Sequence, residues 1–471
     1  MLIRSLCLAS LLAPLAQADI ITVGPDPAVY DYTTIQPAVL FSAPGDTILI
    51  APGEYAGFDV FNRSLQIIGA GPGRTRITEL ATMFSSGTSI RVHDQDQGRT
   101  RLGGFSIESP VDAGKWSGFP WLAIQNCSVP IELFDIEFEA PVATHWDTAF
   151  WTDDAFPSPR SGYVYASDCQ QVFLSNVQIN GAAERDFSEL VMVGTSGGDT
   201  VGTAGLSAAR SQIYAANCRF EGTRLPPCQA GLQPGAQILS GAGVRLYDTE
   251  LIASNCSFVG GMGHGSADVG CTEVHSGPGA ILKGDSQVFL HGGPQATVQG
   301  GAGFGSGPGA FGAHLFGPAS FTSDPSVVLA GGADSQGTPA ATIETVGPEP
   351  VQVSTLLLRR PALIPSAGLA LPGATVQLEM QGNPASVHAV LWDTNMYPAA
   401  PLPDLQGEYF LGLNTAFILG YFPLDANGAA TSSLLIPSQP EFLGVTVAMQ
   451  SVELFAPAYF AGLPVIVGVG Q

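Results

Sequence analysis

The chain has 471 residues, with 17 basic against 40 acidic side chains and a formal net charge of −23. Only 12% of its residues are charged and 45% are hydrophobic, which excludes a disordered polyelectrolyte. Its 58 glycines and 36 prolines are too many breakers for a helix bundle and point to an all-β fold of many short strands.

So acidic a surface, with Lys115 and Lys283 as the only lysines, also excludes nucleic acid as a partner, because counterion release needs clustered Lys and Arg. Residues 1–18 carry Arg4, an apolar stretch from Leu6 to Leu15 and small residues at Ala16 and Ala18. They read as a secretory signal cleaved after Ala18, so the mature chain is expected to be secreted or displayed at a cell surface. The stretch is shorter than the roughly 20 residues of a bilayer-spanning helix, and no later stretch qualifies, so no transmembrane segment is expected in the mature chain. Cys7 leaves with the signal. Cys127, Cys169, Cys218, Cys228, Cys256 and Cys271 remain, an even number that favours disulfides in an oxidising compartment, and none forms the CxxC pair typical of zinc sites.

After the signal comes Tyr32-Thr33-Thr34-Ile35-Gln36, where Ile35 and Val39 lie four apart beside Ala38 and Leu40. That spacing predicts a short amphipathic helix suited to closing the end of a stack. Pro44-Gly45-Asp46-Thr47-Ile48 then opens a strand, Ala51-Pro52-Gly53-x-Tyr55 turns, and Ser64-Leu65-x-Ile67-x-Gly69 begins the next strand. The polar run from His93 to Arg101 reads as a solvated turn between coils.

Four ten-residue segments starting at Ile131, Val172, Ile213 and Leu251 align without gaps, 41, 41 and 38 residues apart. Their columns read Leu133/Leu174/Ala215/Ala253, then Asp135/Asn176/Asn217/Asn255, then Ile136/Val177/Cys218/Cys256 and Phe138/Ile179/Phe220/Phe258. Apolar residues alternate on both sides of the Asx column, but the two runs are out of phase by one. An Asx residue in the left-handed conformation supplies the bend that turns both apolar sets toward one interior. Such a unit cannot bury its inner face alone, so the repeats must stack in parallel at about 4.8 Å as a solenoid. The period fits two coils, or one coil plus a long loop, and the breaker-rich intervening stretches favour the loop.

These motifs resemble the first coils of pectin-lyase-like right-handed parallel β-helix proteins, a likeness that extends over about residues 20–340. The resemblance implies the fold but not an activity, since the superfamily holds lyases, hydrolases, epimerases, esterases and non-catalytic surface proteins. Its calcium-dependent lyases and aspartate-cluster hydrolases carry motifs that this chain lacks, so no catalytic residue is assigned.

The loop between the first two repeats gathers His145, Trp146, Asp147, Trp151, Asp153, Asp154 and Arg160, near Trp116 and Trp121. Aromatic faces bind sugar rings while carboxylates take hydroxyls or a calcium ion, so this loop is the candidate ligand site. The alternative is that the tryptophans fold the loop onto the coil wall. Arg210 and Asp248, in matching positions of adjacent repeats, suggest a salt-bridge ladder. Cys218 and Cys256 are each followed by a cysteine in the trailing loop, which predicts Cys218–Cys228 and Cys256–Cys271 as loop staples contributing about 2–3 kcal/mol each. Cys127 and Cys169 lie one repeat apart and suit either a bridge between rungs or two buried thiols. The glycine tract from Gly300 reads as the irregular last turns of the solenoid, not as a phosphate loop.

From about Thr345 the repeat stops and short apolar runs alternate with Pro and Gly turns, which predicts a β-sandwich over 345–471 after a solenoid over 19–344. Asn427-Gly428 reads as a hairpin turn. The expected function is a glycan- or cell-surface-binding scaffold without a catalytic motif. The alternative is a polysaccharide lyase or glycoside hydrolase acting on an extracellular polysaccharide.

Overall fold

The computed structural model describes residues 18–79, 88–108, 121–139, 162–180, 200–201, 204–223, 238–263, 274–303, 309–347, 351–356, 358–397, 400, 402, 405–412, 414–455 and 458–470. The Asx column bends as its chemistry requires: Asp135, Asn176, Asn217 and Asn255 have φ of 51°, 55°, 57° and 52°. On either side of it the register follows the sequence columns. Ile131 pairs with Val172, Val172 with Ile213 and Ile213 with Leu251, all in parallel. Beyond the bend Phe138 pairs with Ile179, Ile179 with Phe220 and Phe220 with Phe258. The Phe220 and Phe258 rings lie 6.0 Å apart inside the tube. Strand accounts for 52% of the chain and helix for 3%, so the all-β parallel β-helix holds, with one coil per repeat.

Each coil has three walls. A front wall of nine parallel strands runs from Phe58–Phe61 to Ile343–Val346. A sharp corner leads to the side wall, typified by Gln212–Ala216 and Glu250–Ser254, and the Asx bend then leads to the back wall, typified by Arg219–Glu221 and Ser257–Val259. Helix Ile35–Phe41 buries Ile35, Ala38 and Val39 against the first coils, as its spacing predicts, while Leu40 stays exposed.

The glycine-rich segments form a seam where outgoing and returning chain interleave. The amides of Gly261, Gly277 and Gly301 donate in turn to the carbonyls of Gly241, Gly261 and Gly277, each at 2.8 Å. A Cβ on Gly301 would lie 1.9 Å from the Gly261 carbonyl oxygen, so the backbones approach too closely for any side chain.

The solenoid runs past the expected boundary. Ile343–Val346 joins the front wall and Gln352–Thr355 pairs with Ser320–Ser323 as a last rung, because the Val353 run still matches the side-wall register. The C-terminal sandwich follows. One sheet has three strands, Ala362–Pro365, Thr375–Gln381 and Ala429–Leu435; the other is built around Val387–Asp393, Thr446–Phe455 and Val465–Val469. Asn427-Gly428 does turn the chain, with Gly428 at φ 80°. The strands it joins enter different sheets, however, so it forms an arch and not a hairpin.

The sandwich lies along the side wall. Outward positions there form the column Glu132, Phe173, Tyr214, Ile252, in parallel register. Phe410, fully buried, wedges edge-on against Phe173 at 5.3 Å and Tyr214 at 4.9 Å. Polar groups at the seam are matched: Ile466 N donates to Ser175 Oγ at 3.0 Å and Asn217 Nδ2 to the Leu363 carbonyl at 3.1 Å.

Candidate functional site

His145, Trp146, Asp147, Trp151, Asp153, Asp154 and Arg160 lie outside the described residues, as do Trp116, Cys228 and Cys271. Trp121 is described. Its ring meets Tyr163 edge-on at 5.3 Å and packs against the interior cluster, which makes it part of the wall. Among the described residues no group of three or more His, Cys, Asp or Glu side chains is placed to hold a metal ion.

Cys218 and Cys256 differ from their expected role as loop staples, whereas Cys127 and Cys169 match one of the two readings open to them. Cys127, Cys169, Cys218 and Cys256 are free thiols, all buried. Cys218 and Cys256 occupy the interior column of Ile136 and Val177, and the Cys218 amide donates to Cys256 Sγ at 3.4 Å. Both thiols face the tube interior and neither is in a disulfide, while their expected loop partners Cys228 and Cys271 lie outside the described residues. Cys127 and Cys169 stack likewise on successive rungs, as buried thiols and not as a bridge.

The open chemistry lies at the corner between the front and side walls. Asn62, Asp94, Asn126, Asp168, Arg210 and Asp248 all adopt positive φ there, from 43° to 55°. This second set of left-handed bends aims one side chain per rung outward. Beneath it a ladder of backbone amides onto hydroxyls holds the rungs together. Cys169 N donates to Ser211 Oγ at 3.1 Å, Ser211 N to Thr249 Oγ1 at 3.4 Å and Thr249 N to Ser286 Oγ at 3.4 Å. Above it runs a groove of about 740 Å³, lined over four rungs by Asp168, Arg210, Asp248, Asp285 and the side-wall residues Gln212, Glu250 and Gln287.

The Arg210 guanidinium forks onto Asp168 with two contacts of 2.7 Å, and this hydrogen bonding raises its pKa. The ladder read from Arg210 and Asp248 therefore exists, but its pair is with Asp168, one rung earlier. Gln212 Nε2 donates to Glu250 Oε2 at 2.8 Å, and Asp248 Oδ1 accepts the Asp285 amide at 3.0 Å. Glu250 also lines a smaller pocket of about 210 Å³ at the seam with the sandwich, alongside His291, Arg360 and Glu408. Burial there, and then the neighbouring Arg360, lower the His291 pKa to about 4, while burial raises that of Glu408.

The polar run from His93 to Arg101 does turn between strands with Asp96, Gln97 and Gly98 exposed, but its flanks are buried. His93 sits between Asp94, at 2.8 Å, and Asp59, at 2.9 Å, the latter a contact by distance whose angle falls short of a hydrogen bond. Burial pulls the His93 pKa down, but the two carboxylates outweigh it and the net shift is upward. Arg101, 2% exposed, pairs with fully buried Glu132 and reaches Thr446 Oγ1 of the sandwich. Arg99 reaches Asn395. This cluster docks the second domain.

No protein-family model matches the sequence, and no curated protein matches it. Solved structures show weak likenesses, among them the two that follow. The sporulation control protein Spo0M from Bacillus subtilis matches at 14% identity over 24% of this chain, with a TM-score of 0.15. The chain spans about half of Spo0M, 49% of its length. The enzymatically active domain of tailspike protein 2 from bacteriophage CBA120 matches at 10% identity over 93% of this chain and 73% of its own length, with a TM-score of 0.20. Likenesses this slight leave the fold resting on the strand register itself.

Proposed function

We propose that this chain is an exported scaffold that binds a polysaccharide along the groove between its front and side walls, without cleaving it. The observation that carries the reading is the groove's periodicity. Carboxylates, amides and one guanidinium recur once per rung, at about 4.8 Å, close to the repeat of sugar rings along an extended chain. Side chains held on a rigid solenoid lose little entropy on binding, so weak hydrogen bonds to successive hydroxyls add up. Because Asp248, Glu250 and Asp285 outnumber the single Arg210, which is already engaged by Asp168, the groove favours a neutral hydroxyl-rich chain over a polyuronate unless calcium intervenes. Among the described residues no helix is long and apolar enough to cross a membrane, consistent with action outside one.

The test is isothermal titration of the full chain with a panel of neutral and acidic soluble polysaccharides, with and without calcium, while reducing ends and unsaturated products are read in parallel. Saturable binding that Asp248→Asn with Gln287→Ala abolishes, without turnover, is the expected result. Turnover replaces the scaffold reading with an enzyme. Binding that is indifferent to both substitutions moves the site away from the groove.

A further inference from the structure

The C-terminal sandwich gapes at one edge. Strands Phe417–Pro423 and Ala429–Leu435 leave the Asn427-Gly428 arch for different sheets, and a cavity of about 280 Å³ opens between the sheets at the end of these strands away from the arch. Its walls include Trp392, Leu434, Val447, Met449 and Val467, and Thr394 is the one polar residue lining it. Its rim is greasy too: Leu435 is 68% exposed, and Phe417, 62% exposed, stacks on Trp392 with ring centroids 5.3 Å apart.

We propose that this cavity binds the aliphatic chain of a small amphiphile, leaving the polar head at the mouth. A sugar or a peptide backbone placed inside would leave its hydrogen-bonding groups unmatched, since the walls are almost wholly carbon. Hydrocarbon has no such groups to satisfy. An apolar cavity of about 150 Å³ already takes up benzene, so the space here suits a chain longer than one ring. Left empty, the lining forfeits its dispersion contacts, and the exposed rim adds an apolar patch of the kind that marks binding sites. A single hydrocarbon occupant relieves both. The site is separate from the polar groove and stands whether or not that groove binds glycan.

Full-length protein is titrated with bromodecanoic acid, whose bromine quenches tryptophan on contact, and with decanoic acid as a non-quenching competitor. The expected result is saturable quenching, reversed by decanoic acid and diminished in Trp392→Phe. Val447→Phe fills the cavity and should weaken binding by about tenfold or more. Should that variant fail to fold, as judged by circular dichroism and its unfolding midpoint, Leu434→Phe replaces it. Quenching that never saturates, or that is unchanged in Trp392→Phe and in the filled variant, overturns the proposal. Capture by phosphatidylcholine vesicles without binding of free decanoic acid also overturns it, by assigning the greasy rim to a membrane surface.

Discussion

Asp135 is the one carboxylate in a ladder otherwise made of asparagine, and it is 8% exposed. Asn176 Nδ2 donates to its Oδ1 at 2.5 Å. Burial nevertheless dominates, against the opposing hydrogen bonds from Asn176 and the Gly368 amide, and raises its pKa to about 6. An unfolded aspartate titrates near 3.9, so folding costs about two pKa units, or about 3 kcal/mol, once the group is ionised. The sign follows from the upward shift. The protonated form is the one that folding favours, so stability is highest below about pH 4, falls as pH rises through about 6, and stays low above that. Asp135→Asn removes the titration, and its carbonyl oxygen can still accept from Asn176. Urea unfolding at half-unit steps from pH 4 to 8 should show wild type losing stability relative to the variant as pH rises, the difference between the two curves isolating Asp135 from groups such as His93 and His291 that titrate in both. The two should converge near pH 4 and differ by up to about 3 kcal/mol at pH 7, with the variant the more stable. Parallel curves, or a variant less stable than wild type at pH 7, would refute the assignment of a buried charge to this bend.

Phe410→Ala should cost about 3–5 kcal/mol and expose the linker near Arg359 to limited proteolysis, because the wedge between Phe173 and Tyr214 is lost; an unchanged cleavage pattern would show that the seam does not depend on it. Glu132→Gln leaves the Arg101 guanidinium buried without its counter-charge, at about 3–5 kcal/mol, whereas the double change Arg101→Met with Glu132→Leu should be far milder; denaturant midpoints of the two variants decide it. Gly301→Ala should lose more than about 4 kcal/mol, since the new Cβ meets backbone that cannot yield, while Gly337→Ala, with open space around it and only a positive φ to oppose, should lose about 1 kcal/mol by the same measurement.

The interior of the solenoid was legible because its signal is periodic. Two alternating runs out of phase across an Asx column have one geometric solution, and the register of Ile131, Val172, Ile213 and Leu251 follows residue by residue. The corner at Asp168, Arg210 and Asp248 was half legible. Arg210 is not an Asx residue, and its left-handed conformation is held by the fork to Asp168, a partner one rung away that no local pattern displays. The aromatic and carboxylate loop at His145 to Arg160 was chosen on composition alone, which fixes no geometry, and it lies outside the described residues. The position of the sandwich was missed although its trace is present. Phe134, Phe173, Tyr214 and Ile252 stand at outward positions of the side wall, where a solvated wall would carry polar residues, and such a greasy outer column implies a covering partner.

The cysteines follow the same logic. Cys218 and Cys256 share a column with Ile136 and Val177, and membership of an apolar column already says that a side chain faces the tube interior. A staple to a surface loop would take that side chain out of the apolar column, against the alternation that identified the repeat. Read consistently, the column makes each thiol a small hydrophobe filling the slot of a valine, with its sulfur donating weakly to a carbonyl of its own coil, as Cys218 Sγ does to Ala216 at 3.2 Å and Cys256 Sγ to Ser254 at 3.3 Å. For Cys218 and Cys256 the chemistry that a cysteine brings is therefore spent on packing, and among the described residues neither thiol faces the polar groove or the apolar mouth of the sandwich.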